Sequence, residues 1–179
     1  MPDPDIDIAP RRFDADIPDY SDPSGDDFVA LARDKVTVRS MQQADLAAMV
    51  RIDRKHTGQD RHAYYQRKLA EVMNETGIRV SLVAETDGLP VGFIMARVDF
   101  GEFGRAESAA VIDTIGVDPG FSHAGVAAAL MSQLMGNLSI LRVDTVRTTV
   151  SWNDFPLLRF MDHNGFRPAH RLLLKKAIT

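Results

Sequence analysis

The chain has 179 residues, a formal net charge of −4 and no cysteine. This length predicts one domain, and the lack of cysteine excludes disulfides, thiolate metal sites and a cysteine acyl-enzyme. No apolar run approaches the ~18 residues of a membrane span, and the acidic N-terminus lacks the apolar core of a signal peptide. We therefore expect a cytoplasmic protein with no membrane partner. The five histidines lack the spacing of a two-histidine site on one helical face, so no metal is expected.

Residues 1–34 differ in composition from the rest of the chain. They contain ten aspartates, no glutamate and three arginines, a charge of −7, so residues 35–179 sum to +3. Prolines and mutual repulsion oppose regular structure, which predicts an acidic N-terminal arm at 1–34 and one domain at 35–179. Apolar side chains such as Phe13 and Ile17 provide anchors for docking on this domain or on a second copy in a homodimer. A charge of +3 is too weak to indicate nucleic acid.

Hydrophobic periodicity predicts ten elements after the arm. Alternation indicates strands, and apolar residues three and four positions apart indicate helices. Ser40 and Gln43 have capping-box spacing, and Asp87-Gly88 predicts a hairpin turn. The predicted elements are a strand at 36–39, helices around 46–50 and 65–73, strands at 79–85, 91–100 and 109–117, a helix at 126–134, a strand at 145–150, a helix at 154–164 and a strand at 167–175. This order predicts an α/β fold with a mixed sheet flanked by helices.

The segment VDPGFSHAGVA, residues 117–127, is the most informative part of the sequence. A buried strand ends there, a loop of small residues follows, and a helix begins. Free backbone N–H groups and the positive end of a helix dipole then lie beside a strand terminus, which suits a phosphate or pyrophosphate. Gly125 and Ala127 leave the backbone accessible to an anion. Small residues at such a turn also serve tight packing, and the residues alone leave both interpretations open.

Three segments carry a resemblance to a known family: LVAETDGLPVGFI, IGVDPGFSHAGVAAALM and VSWNDFPLLRFMDHNGF. In order and spacing they are similar to the GNAT superfamily of N-acetyltransferases over residues 36–175. The resemblance implies acetyl-CoA as cosubstrate, an amine acceptor, and direct attack of the amine in a ternary complex. The positions that it assigns to CoA are Ile115, Gly116 and Val117 for pantetheine, Ser122, His123, Ala124, Gly125, Val126 and Ala127 for the pyrophosphate, and Asp154 on the late helix.

Four positions depart from the family pattern. Ser122 stands where the family prefers Arg or Gln, Ala124 where a basic residue is common, and Asp154 where Asn is usual. Met161 replaces a tyrosine that often protonates the leaving thiolate, and methionine cannot donate a proton. His123 either supplies charge to a bound phosphate or is an exposed loop residue. These departures support an alternative, a catalytically weak CoA-binding module with a sensing or scaffolding role.

A third hypothesis is a phosphate-binding α/β domain unrelated to CoA, which requires the match of all three segments to be coincidental. The acceptor itself is not readable from the sequence, and small amines, polyamines, amino acids, antibiotics and protein N-termini all fit. The resemblance assigns the acceptor site to the loop between the first two helices, residues 56–61.

Asp113 is the best candidate for a general base. Strict alternation places it on the same strand face as Val111, Ile115 and Val117, where a lone carboxylate requires a cleft or a partner. An amine must lose its proton before or during attack, and a carboxylate in a cleft can accept it. The alternative is an aspartate that is bonded to Thr114 or to neighbouring backbone. Weaker candidates for the base are Glu85, Glu102 and Glu107.

Overall fold

Five strands and four helices form in the part of the chain that the structure describes. The computed structural model describes residues 36–74, 80–99, 108–122, 124–170 and 176–177. In chain order the elements are β1 (Thr37–Ser40), α1 (Leu46–Thr57), α2 (His62–Asn74), β2 (Leu82–Thr86), β3 (Leu89–Asp99), β4 (Ala109–Val117), α3 (Val126–Ile140), β5 (Thr145–Thr148) and α4 (Phe155–His163). Short 3-10 turns at Gln43–Asp45 and Pro119–Phe121 precede α1 and α3. No described helix is long and apolar enough to cross a membrane.

The strands form one mixed sheet in the order β1-β2-β3-β4-β5. The pairs from β1 to β4 are antiparallel, and β4 pairs with β5 in parallel. The predicted Asp-Gly hairpin joins β2 to β3, with φ of 51° at Asp87 and 75° at Gly88. Both residues tolerate positive φ, as this type of tight turn requires. The parallel pair places the C-terminal ends of β4 and β5 at the same edge of the sheet.

Helices pack on both faces of the sheet, which confirms the predicted fold class. On one face α3 and α4 bury their apolar sides, and on the other face α1 and α2 do so. The α3-side core includes Ile94, Ala110, Ile112, Leu130, Leu134 and Met161. The α1-side core includes Met49, Ile52, Tyr65, Leu69, Val83 and Phe93.

Two local predictions differ from the structure. The capping box before α1 uses Gln42 and Asp45 rather than Ser40 and Gln43. Asp45 accepts from the Gln42 amide at 2.7 Å, and Arg39 holds its buried carboxylate with two further bonds, so a tertiary contact selects the cap. Residues 167–170 of the predicted last strand are irregular, and 171–175 lie outside the described residues. The predicted arm at 1–34 also lies outside them.

Alanine substitutions at two glycines, one in β3 and one in α3, test how closely these elements pack. A Cβ at Gly92 would lie 2.6 Å from Val126 Cγ1, whereas a Cβ at Gly136 in α3 has no neighbour within 4 Å. We expect Gly136→Ala to stabilise the protein by about 1 kcal/mol, because alanine is the better helix former. Gly92→Ala should cost about 1–3 kcal/mol through overpacking. Thermal denaturation measures both, and a Gly92→Ala variant as stable as the wild type would contradict this close contact.

Candidate functional site

β4 has a strand on both sides only in its first half. Its pairing with β5 ends at Ile112↔Thr148, but its pairing with β3 continues to Val117↔Gly92. Thr148 Oγ1 donates to the carbonyl of Ile112 at 3.0 Å. Beyond this point no described strand lies beside the outer edge of residues 113–117. Unpaired backbone groups of such an edge can bind an extended ligand that contains amides.

Helix α3 begins next to this open edge with an uncapped N-terminus. Gly125 is its N-cap, has φ of 72°, and makes no side-chain capping bond. A positive φ of this kind favours glycine, so the local backbone explains the residue type. The first intrahelical bond runs from the amide of Ala129 to the carbonyl of Gly125 at 2.9 Å. Helix geometry therefore leaves the amides of Val126, Ala127 and Ala128 available for an anion.

The other described loop residues assigned to the pyrophosphate make contacts within the protein. The hydroxyl of Ser122 donates back to the carbonyl of Pro119, and the amide of Ala124 donates to Phe121 at 3.1 Å. Val126 is buried against β3, and its amide has no intrahelical acceptor. His123 lies outside the described residues. Contact of these residues with the pyrophosphate remains a prediction.

Residues 115–117 form the open segment of β4. Ile115 and Val117 pack against the α3-side core. Gly116 faces the other way, because a Cβ there would lie 2.8 Å from Phe93 Cε1 and 3.5 Å from Ile52 Cγ2. A glycine at 116 lets α1 and Phe93 pack close to the strand. Contact of this segment with pantetheine remains a prediction, and the edge available for it is backbone.

Asp113 does not share a face with Ile115 and Val117. A bulge interrupts the β3–β4 register, since Met95 pairs with Thr114 and Ala96 pairs with Ile112, which leaves Asp113 without a residue opposite. An inserted residue of this kind reverses the alternation beyond it.

The partner of Asp113 is Arg97 on β3, not Thr114 or neighbouring backbone. The pKa of Lys68 on α2 is raised chiefly by its hydrogen bond to Glu71 and further by the charge of Asp113. Asp113 therefore lies on the α2 side, at the start of the open segment of β4.

An ion pair between a buried carboxylate and a partly exposed arginine organises the loop between α1 and α2. Asp53 is 7% exposed and accepts from Arg61 Nε at 2.8 Å and from the hydroxyl of Tyr65 at 3.0 Å. Arg61 holds the pKa of Asp53 below its usual value, against the opposing effect of burial. Burial and the bond to Asp53 raise the pKa of Tyr65 to about 12. Arg61, assigned above to the acceptor loop, therefore has a structural contact.

Helix α4 presents one predicted site residue and buries another. Asp154 is the N-cap, and its Oδ1 accepts from the amide of Leu157 at 3.2 Å, as its sequence position predicts. Met161 is 4% exposed and packs in the α3-side core. Its side chain therefore fills the core, against which Ile115 and Val117 of β4 also pack.

Sequence reasoning missed a pair of residues beside the loop. Lys55 Nζ lies 2.6 Å from Asp118 Oδ2, and the carboxylate also accepts from the amide of Gly120 at 3.1 Å. His56 Nε2 contacts the carbonyl of Val117 at 2.6 Å. The Asp-Pro sequence was a signal for a turn cap at Asp118, but nothing local indicated that α1 supplies its partner.

These features fit a pyrophosphate followed by an extended chain with amide groups. The backbone amides and the helix dipole of α3 suit the phosphates, and the alanines and the glycine leave room for their close approach. The open edge of β4 suits the amide groups of the extended chain. The mixed sheet with helices on both faces defines an α/β protein with a candidate anion site at the start of α3.

Sequence comparison identifies the family. The profile of the acetyltransferase (GNAT) family matches residues 44–166. This match covers more than half of the chain, so the chain belongs to the GNAT family, as the resemblance predicted. No curated protein matches the chain.

Solved structures share the fold at low identity. A transcriptional regulator from Bacillus halodurans C-125 is 18% identical with a TM-score of 0.69, over 79% of this chain and 99% of that one. The aminoglycoside N-acetyltransferase AAC(6')-Iy, in complex with CoA, is 17% identical with a TM-score of 0.67, over 79% and 94%. The aminoglycoside 6'-N-acetyltransferase AAC(6')-IG from Acinetobacter haemolyticus is 16% identical with a TM-score of 0.65, over 80% and 99%.

Proposed function

We propose that the protein is an acetyl-CoA-dependent N-acetyltransferase in which an amine attacks the thioester directly. The observation that carries the proposal is the uncapped start of α3 beside the open segment of β4. In this proposal the amides of Val126 to Ala128 hold the pyrophosphate, and the backbone edge of 115–117 holds pantetheine. Family membership and a CoA-bound structural neighbour support the same assignment.

The chain's own residues have simple roles in this reaction. Acetyl-CoA, when bound, supplies an acetyl group activated as a thioester. Because the chain has no cysteine, the acetyl group cannot pass through an acyl-enzyme on a cysteine thiol. We assign proton acceptance from the attacking amine to Asp113, which Arg97 holds at the start of the open segment. The thiol of CoA has an ordinary pKa of about 8.5, so the thiolate can leave without a side-chain acid.

Calorimetric titration and an acceptor panel test this function. We expect acetyl-CoA to bind, to raise the melting temperature, and to release CoA when a suitable amine is added. At a hundred times its Kd a ligand stabilises by about 2.7 kcal/mol. The panel contains small amines, polyamines, amino acids, an aminoglycoside and a peptide N-terminus. Absence of binding by any CoA thioester would contradict the proposal.

Replacing the proposed base should reduce the rate selectively. We expect Asp113→Asn to lower turnover on the order of 100-fold, because the amide cannot accept the proton, while acetyl-CoA affinity stays unchanged. Asp87→Asn in the β2–β3 turn is the matched control, since asparagine also tolerates its φ of 51°. Turnover equal to that of the control would show that another group or water takes the proton.

A second candidate function is a CoA-binding module with little catalysis. The observation that favours it is Met161, which is buried in the core at the position where family members often carry a tyrosine. Binding of acetyl-CoA without turnover of any acceptor in the panel would support this function over the first.

Because Met161 is buried, we expect a tyrosine at this position to lower the stability of the protein. Met161→Tyr places a larger ring and a hydroxyl in a packed core, which should cost about 1–3 kcal/mol and leave turnover unchanged. Met161→Leu conserves volume and should remain within about 1.5 kcal/mol of the wild type. Melting curves and steady-state rates measure both effects, and a faster Met161→Tyr enzyme would show that position 161 reaches the reacting groups.

A further inference from the structure

The loop that would hold the phosphates carries a negative charge of its own. From 114 to 141 the sequence has no Lys, Arg or Glu, and Asp118 is its one carboxylate. The carboxylate of Asp118 caps the 3-10 turn by accepting from the amide of Gly120. The backbone amide of Asp118 donates to the carbonyl of Val91 at 2.8 Å. The turn therefore needs an acceptor at this position. An uncompensated carboxylate there would repel a pyrophosphate bound at the start of α3.

Helix α1 supplies the compensating charge from the other face of the sheet. Lys55 Nζ lies 2.6 Å from Asp118 Oδ2, and the Asp118 side chain is 9% exposed. The Lys55 bond lowers the pKa of Asp118 against the effect of burial, and the Gly120 amide lowers it further, so Asp118 is ionised at neutral pH. Among the described residues Lys55 is the cation that directly contacts this carboxylate, and the charge of Arg51 acts on it without contact.

We propose that Lys55 is a positioning residue for the cofactor, which neutralises Asp118 so that the α3 amides present a positive field to the phosphates of CoA. This inference rests on the proposed function. It explains how the loop serves an anion although Ser122 and Ala124 carry no charge. Asp118 shapes the turn, and Lys55 removes the electrostatic cost of that carboxylate.

Neighbouring contacts allow the charge to be tested separately from the position of α1. His56 Nε2 contacts the carbonyl of Val117 at 2.6 Å, and Arg51 Nη2 donates to the carbonyl of Pro90 at 3.1 Å. Both contacts tie α1 to the same end of the sheet and remain when Lys55 is replaced. Lys55 itself is half-exposed, so its truncation removes little buried surface.

A double-mutant cycle with CoA as the probe tests the proposal. We expect Lys55→Met to weaken CoA binding about tenfold at low salt, and less at high salt, because it leaves Asp118 unpaired. Asp118→Asn still accepts the Gly120 bond and should bind CoA at least as tightly as the wild type. The double variant should return to near wild-type affinity, and Lys55→Arg should retain it.

Pantetheine, which lacks phosphates, is the control ligand, and calorimetry measures every affinity. Its binding should be equal in all variants. Lys55→Met with wild-type CoA affinity would overturn the inference. Equal weakening for CoA and pantetheine, without recovery in the double variant, would also overturn it, because a purely structural role produces that pattern. Failure of the wild type to bind CoA would instead overturn the proposed function and this inference with it.

Discussion

Replacing Ala127 by glutamate is expected to abolish binding of CoA while leaving the protein folded. Ala127 is the second residue of α3, where its amide is among those without an intrahelical partner. A carboxylate in the first turn of a helix interacts favourably with the helix dipole, so the melting temperature should be unchanged or higher. The same carboxylate occupies the position of the anion, and we expect an affinity loss on the order of 100-fold or more.

Ala127→Gln is the matched control, because it has nearly the same shape without the charge. If repulsion is the cause, the glutamine variant retains more affinity than the glutamate variant at low salt. Gly125→Glu is a less informative change, since φ of 72° at Gly125 adds backbone strain for any other residue. Calorimetric titration with CoA measures the effect, and a folded Ala127→Glu protein with wild-type affinity would show that the phosphates bind elsewhere.

Removal of the Arg61 guanidinium is expected to destabilise the whole domain. Arg61→Met leaves the buried carboxylate of Asp53 with the Tyr65 hydroxyl but without a cation. Unpairing a buried charge costs about 3–5 kcal/mol, and the 40% exposure of Arg61 places this case at the lower end, about 3 kcal/mol. The melting temperature should fall by roughly 6–12 °C for a chain of this size. Arg54→Met, at an exposed position of α1 next to Asp53, is the control and should change little.

The destabilisation should depend on pH with a defined sign. In the wild type the folded-state pKa of Asp53 lies below its ordinary value of 3.8, so its stabilisation is present above that pH and is lost as pH falls through the folded-state value. In Arg61→Met, burial acts without the guanidinium and raises the pKa of Asp53. The difference in unfolding free energy between the two proteins should therefore be largest near pH 7. It should shrink as pH falls through the raised pKa of the variant and then through the lowered pKa of the wild type. A difference independent of pH would show that lost packing, not the charge, is responsible.

Local patterns in the sequence determined the elements that position the site. Alternation predicted β4 with the bounds that the structure has, the Asp-Gly pair predicted the hairpin, and Asp154 predicted a helix cap. The small residues after Val117 predicted a strand that leads into a helix N-terminus. These features depend on residues within a few positions of one another, so the sequence contains the information directly. The three matching segments were likewise sufficient to identify the family.

Tertiary structure alone decided which side chains meet. The β3–β4 bulge sets the face of Asp113, and register between strands is not encoded in the alternation of either strand. Lys55 and Asp118 are 63 residues apart in the chain, and only the packing of α1 over the end of β4 brings them together. Met161 occupies the position of a tyrosine that often acts in the family, but its side chain is buried in the core. Charge pairing and burial depend on these long-range contacts, for which local periodicity carries no signal.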